Sequence, residues 1–256
     1  MRTNRLLAAT TLSVTAIALL AACGPEKSGG ADAAAPASTA ASPRAASSAP
    51  TGPTPDEIVA KARAAGAKLG SVKITFTQAA PTGKASGVLS VDRAGNCVGT
   101  MTIEGSGGGQ VIRNSSGDLW LKPDAEFIST LDVPDAAATL GDDWFLYPKE
   151  TGAGADYARF CDLALPIQET AGQAAFEGAV TAGGKALPMV VDGVNILGFK
   201  LFEGNKAGAP VLFSGDGEPR LLSLETDNNS SMKFSEFDQP VRAVPPPSDE
   251  VIRTGK

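Results

Sequence analysis

The chain has 256 residues, 43% of them hydrophobic, 20% charged and 5% aromatic, a globular composition rather than a fibrous or wholly disordered one. Its 22 Lys and Arg against 28 Asp and Glu leave a formal charge of -6, so no basic footprint supports nucleic-acid binding. Histidine is absent, which excludes Ser-His-Asp and Cys-His nucleophile systems, imidazole acid-base chemistry and His-containing zinc sites.

Residues 1–22 read as an address. Arg2 and Arg5 precede an uncharged apolar run from Leu6 to Leu20, and the small residues Ala21 and Ala22 lead to Cys23, which is the pattern of a secretory signal peptide. The run is too short for a comfortable membrane span. Leu20-Ala21-Ala22-Cys23 resembles the bacterial lipobox, in which the cysteine thiol receives diacylglycerol and becomes the first residue of the mature chain. Two acyl chains satisfy the two-signal condition for stable anchoring, which places the protein on the extracytoplasmic face of the cell membrane. The alternative is an ordinary secreted protein in which Cys23 is incidental. Cleavage before Cys23 removes two arginines and no acid, so 20 basic against 28 acidic side chains leave the mature chain at -8.

Residues 23–53 read as the lipidated cysteine and a tether. Between Gly24 and Pro53 there are 10 Ala, 5 Pro, 5 Ser, 4 Gly and 2 Thr, and no Val, Ile, Leu, Met, Phe, Trp or Tyr. Such a segment has nothing to bury and is expected to be disordered, with an r.m.s. length of about 30 Å. With Cys23 consumed by lipid, Cys97 and Cys161 remain, an even number in an exported and disulfide-permissive chain, and a bond between them is expected. Two buried thiols are the alternative.

Residues 54–256 read as one domain. Thr54 or Asp56 can cap an opening helix with Pro55 in its first turn; Ile58, Val59, Ala62, Ala65 and Leu69 recur on one side, and Gly70 ends it. The period then changes to two: Val72, Ile74 and Phe76 alternate with polar residues, as do Leu89 and Val91. Turn chemistry at Ala94-Gly95-Asn96, at Gly105-Ser106-Gly107-Gly108-Gly109 and at Ser115-Ser116-Gly117-Asp118 separates strands at Cys97–Glu104, Gln110–Arg113 and Leu119–Lys122. The glycine run lacks the ending of a phosphate loop and reads as a flexible hairpin.

Alternation is lost from Pro123 to Ile167, where three helix starts (Pro123-Asp124, Pro134-Asp135, Ala155-Asp156) predict a helical insertion. Strands return at Phe176–Thr181, Leu187–Val191, Val194–Phe202, Pro210–Phe213, Arg220–Thr226 and Met232–Phe234.

This order of elements, with Thr82-Gly83-Lys84-Ala85-Ser86-Gly87, Gly117-Asp118-Leu119-Trp120-Leu121-Lys122 and the ending Met232-Lys233-Phe234-Ser235-Glu236-Phe237-Asp238-Gln239-Pro240-Val241, resembles the LppX/LprAFG lipoproteins of mycobacteria. Gly95-Asn96-Cys97-Val98-Gly99-Thr100 with Phe160-Cys161-Asp162 is similar to a second group of actinobacterial lipoproteins. The mycobacterial resemblance implies a LolA-like α+β fold: a strongly curved antiparallel half-barrel with helices packed on its concave face and acyl chains held between. The concave-face candidates are Ile74, Phe76, Leu89, Val91, Met101, Ile103, Leu197, Phe199, Leu222 and Leu224. Ile58, Phe127, Leu131 and Leu140 are the candidates on the helix side. Aliphatic linings suit acyl chains, and the other reading of the same residues is a filled core.

Other motifs point to less. Ser230-Ser231-Met232-Lys233 has the spacing of a Ser-x-x-Lys nucleophile without the companion Ser-Asp-Asn and Lys-Thr-Gly elements. Asp216, Glu218, Glu225 and Asp227 lack a calcium-loop pattern and read as solvated turns, while Trp120 and Trp144 read as packing. No cofactor, metal or catalytic residue is expected. The chain reads as a non-enzymatic lipoprotein that carries a lipid or acylated molecule, or as a structural or protein-interaction lipoprotein of unknown partner. Substituting Cys23→Ala is expected to release the protein from the membrane fraction; retention after a high-salt wash would place the anchor elsewhere.

Overall fold

The computed structural model describes residues 52–80, 83–132, 135–176, 178–226 and 229–253. The signal peptide, Cys23 and nearly all of the tether lie outside the described residues.

Helix α1 (Pro55–Gly66) begins with a capping box: Glu57 N–H donates to the Thr54 hydroxyl, and the Glu57 carboxylate accepts from Thr54 N–H at 2.9 Å. It buries Ile58, Val59, Ala62 and Ala65 and stops four residues before the expected Gly70. Arg93 terminates it. The guanidinium donates to the carbonyls of Gly66 and Ala67, and its Nε to that of Leu69, supplying donors that the last turn lacks.

Five strands follow: β1 (Ser71–Ala80), β2 (Gly83–Asp92), β3 (Cys97–Ile103), β4 (Gly107–Arg113) and β5 (Leu119–Pro123), each antiparallel to the one before. The middle of the chain is helical in short pieces: α2 (Ala125–Ser129), α3 (Ala136–Leu140), α4 (Gly154–Cys161) and α5 (Ala164–Glu169). Asp124 caps α2 by accepting from Phe127 N–H at 2.7 Å. Between α3 and α4 lies β6 (Trp144–Tyr147), a strand that the helical reading of this segment misses. All four of its residues are buried, so it shows no alternation to read.

The second half consists of β7 (Val180–Val191), β8 (Val194–Glu203), β9 (Ala209–Ser214), β10 (Leu221–Thr226), β11 (Ser230–Ser235) and β12 (Val251–Arg253). Of the strand expected at Phe176–Thr181 only Val180 and Thr181 are strand, and they join the one expected at Leu187–Val191 in β7, whose register shifts between Gly183 and Leu187. The sheet order is β12-β6-β5-β4-β3-β2-β1-β11-β10-β9-β8-β7. It is a large, curved, unclosed antiparallel sheet with few helices, an α+β fold, and its one parallel pairing joins β12 to β6.

The curvature has a residue-level cause. One inward row crosses the first half of the sheet as Phe234, Ile74, Leu89, Gly99, Val111, Leu121 and Phe145, and the next as Met232, Phe76, Gly87, Met101 and Gly109. A Cβ on Gly87, Gly99 or Gly109 would lie 2.6, 2.0 or 1.9 Å from the carbonyl oxygen of Thr100, Val88 or Lys122, distances no side chain accepts. Of the run at 105–109, the first two residues form the β3–β4 hairpin turn as expected, while Gly107, Gly108 and Gly109 belong to β4 rather than to a flexible segment. Gly107, at φ 70°, starts β4 where a Cβ would stand 2.0 Å from the Phe127 nitrogen, so α2 rests directly on the strand.

Cys97, the first residue of β3, is bonded to Cys161, the last of α4, with Cα atoms 5.8 Å apart. Arg113, paired opposite Cys97 and buried, donates to the carbonyls of Gly95 and Ala158 and to Glu150 and Asp162, the last at 2.7 Å. Burial acts to lower its pKa, but Asp162 and Glu150 outweigh that effect, and the guanidinium is held charged above its ordinary value. The double substitution Cys97→Ser and Cys161→Ser is expected to lower unfolding stability by about 2–4 kcal/mol in urea titrations and to keep the fold, because the Arg113 bonds remain. Reductant should shift the wild-type midpoint and leave that of the variant unmoved.

Candidate ligand site

Of the fourteen residues expected around a cavity, Ile74, Phe76, Leu89, Val91, Met101, Ile103, Phe127, Phe199 and Leu224 lie in one buried cluster. Leu131 and Leu197 are half-buried and pack against it, as does Leu140, and Ile58 is part of it. Leu222 is not. A register shift between Leu221 and Ser223 turns Leu221 and Leu224 inward and leaves Leu222 half-buried outside the cluster. Alternation predicts the wrong residue there because a bulge breaks the period.

The middle of the concave face is occupied by side chains. Phe76 of β1 stacks on Phe160 of α4 at 5.3 Å between ring centroids, Phe199 stacks on Phe213 at 5.2 Å, and Phe127 touches Phe145 and Tyr157. Tyr157 donates to the Gly107 carbonyl at 3.2 Å, and burial raises its phenol pKa above the ordinary value. Trp120 and Trp144 pack with Leu146 in a separate small cluster.

Two openings flank this filled middle. The smaller, about 330 Å³, lies between α2 and α4 and is lined by Ile103, Phe127, Leu131 and Tyr157 with Ser106, Thr130, Ala153, Asp156 and Arg159. The larger, about 700 Å³, lies where the end of β1, the turn at 173–176, the β8–β9 connection and the β10–β11 hairpin meet. Its walls are Ala79, Ala174, Ala175, Phe176, Ala207 and Met232; its polar groups are Gln78, Glu203, Lys206, Thr226 and Ser230. None of the fourteen candidate residues lines it.

The larger opening forms because three neighbouring strands change character at one level. On β1 the inward positions run Ile74, Phe76, Gln78; on β11 they run Phe234, Met232, Ser230; on β10 they run Leu224, Thr226. An apolar surface thus becomes polar along one line across the sheet. Ser230 is buried and accepts from Ala79 N–H at 3.2 Å. The Gln78 Oε1 is buried without a hydrogen-bond partner among the described residues. Glu203 accepts from Lys206 at 2.6 Å, a bond that, with one from Gly178 N–H, holds its carboxyl below the usual range. The opening thus sets the polar groups of Gln78, Glu203 and Lys206 beside the apolar side chains of Met232 and Phe176.

No family model matches the chain, and no curated protein matches it. Among solved structures, LprF from Mycobacterium bovis is similar at 13% identity and a TM-score of 0.44, over 76% of this chain and 99% of that one. An uncharacterized conserved protein from Thermus thermophilus is similar at 10% identity and a TM-score of 0.36, over 78% of this chain and 98% of that one. Both are distant likenesses and give the chain no family. The fold assignment rests on the strand order and pairing.

Sequence reasoning missed the larger opening, although a signal for it was available: Gln78 continues the Ile74–Phe76 stripe with a polar side chain. Glu203 and Lys206 carried no such signal, since Glu203 ends β8 and Lys206 lies in the loop after it. Replacing Gln78→Leu removes a buried acceptor left unpaired and is expected to raise stability by about 1 kcal/mol in denaturant titrations, while weakening whatever polar group the site receives.

Proposed function

We propose that the protein is a lipoprotein, anchored through Cys23 to the extracytoplasmic face of the cell membrane, whose folded domain binds a lipid or other acylated molecule and catalyses no reaction on it. The observation that carries this reading is the apolar-to-polar change along β1, β11 and β10 around an opening of about 700 Å³. That volume is within the roughly 300–1,000 Å³ of small-molecule sites, and a lining that sets Phe176, Ala207 and Met232 beside Gln78, Glu203 and Lys206 suits the polar end of an amphiphile and the start of its apolar part. The signal-peptide pattern and the lipobox-like end at Cys23 support the location. No helix among the described residues is long and apolar enough to cross a membrane, in keeping with attachment by lipid.

The filled middle of the concave face favours a second reading. Stacked pairs such as Phe76 with Phe160 occupy the space an internal acyl chain would need, as in an interaction lipoprotein with a solid core. The two readings differ in whether the larger opening takes a ligand. Native mass spectrometry of detergent-free protein and displacement of a fluorescent fatty acid separate them. On the carrier reading the probe binds, and Ala207→Trp, an exposed wall position whose new indole fills the opening, lowers affinity at least tenfold without altering the unfolding midpoint. Absence of both co-purified lipid and probe uptake would leave the interaction reading.

A further inference from the structure

The edge strand β7 departs from the rest of the surface. Leu187, Met189, Val190 and Val191, with Val194 of β8, are between 40% and 68% exposed. They belong to both faces: Leu187, Met189 and Val191 point one way, while Val190 and Pro188 point the other. The two-residue turn Asp192-Gly193, with both residues at positive φ, fixes the register by the tight geometry of such hairpins, so the patch is pre-formed.

The surroundings specify what the patch can meet. Around the apolar run the charges are Lys185 before it and Asp192 and Asp216 near the turn, the last accepting from Asn195, so among the described residues no cationic cluster stands there to meet an anionic surface. Lys185 and Asp192 bracket the apolar run, where they can stay at polar depth. Pairing with a second β7 is disfavoured. Counting back from the closing pair Val191 and Val194, Pro188 stands opposite Leu197 with its nitrogen on the outer edge, where it offers no donor. Five side chains also fall far short of the roughly 20 or more per partner in a stable interface.

A surface to which the chain is already attached needs much less contact, because the tether makes docking intramolecular. Helix α1, which follows the tether directly, packs on β7. We infer that the β7–β8 hairpin docks the domain edge-on onto the interfacial region of a neutral, zwitterionic bilayer. The inference rests on the reading of Cys23 as the lipid anchor. Docking of this kind holds the opening beside Glu203, at the other end of β8, at a set height over the bilayer.

The test uses the mature chain coupled through Cys23 to a maleimide lipid in phosphatidylcholine vesicles, so that docking is intramolecular whether or not Cys23 is the native anchor. Val190→Trp in that chain should give indole emission that shifts to the blue and is quenched by brominated phosphatidylcholine. Leu187→Asp with Met189→Asp in the Val190→Trp chain should cut that quenching at least fivefold at an unchanged unfolding midpoint, and admixed anionic lipid should weaken it. An indole at position 190 blind to brominated lipid, or quenching indifferent to the two aspartates, overturns the proposal. Concentration-dependent dimers abolished by the same aspartates overturn it in favour of a second copy. The anchor reading is judged separately, from the intact mass of wild-type protein: an unmodified Cys23 sinks that reading whatever the hairpin does.

Discussion

Cys97 and Arg113 face each other across β3 and β4, and each fastens the same helix to the sheet. The disulfide holds the last residue of α4, and the guanidinium holds the Ala158 carbonyl, Asp162 just past the helix and Glu150 just before it. A curved open sheet leaves one apolar face uncovered, and the helices that cover it here are short, five to twelve residues each. Helices of that length are marginal by themselves and depend on tertiary attachment. The covalent and charged fastening of α4 therefore decides whether Phe160 stays stacked on Phe76 and whether the middle of the concave face stays filled. A solvated pair would contribute little, but Arg113 is buried, and its hydrogen bonds satisfy carbonyls that would otherwise be left without donors.

Glycine placement and side-chain polarity divide the inward surface between them. Gly87, Gly99 and Gly109 let neighbouring backbones approach where the first half of the sheet curls, and Met101 and Leu89 fill the space beside them. Along β1, β11 and β10 the rows end instead in Gln78, Ser230 and Thr226. A fold selected only for a solid core would place aliphatic side chains at those positions, since a buried acceptor such as the Gln78 Oε1 costs stability when unpaired. The polarity of that end is the feature that packing alone leaves unexplained, and it coincides with the larger opening.

The two ends of the open sheet are finished differently. At one edge β12 pairs with β6, and Trp120, Trp144 and Leu146 cover the neighbouring surface. At the other, β7 keeps its outer half apolar and exposed and carries Pro188, a residue that discourages an added strand. One edge is closed by the chain itself, whereas the other presents a contact surface without a full pairing template.

Alternation in Ile74–Phe76 and Leu89–Val91, turn residues between strands, and the Thr54–Glu57 cap are local codes, so the sequence alone determined that the domain is a helix followed by antiparallel strands around a helical middle. The parity of Cys97 and Cys161, in a chain whose first residues read as an export signal, likewise pointed to their bond. Three features required the tertiary structure. The strand Trp144–Tyr147 is buried on all its residues, which erases the period that identifies a strand. The exchange of Leu222 for Leu221 depends on a bulge, and the glycine run at 107–109 is read as flexible until the chain brought against it is seen. The opening at Gln78, Phe176, Glu203, Lys206 and Met232 joins residues more than 150 positions apart, and their convergence follows from β11 pairing with β1, a contact between strands distant in sequence that no local pattern encodes.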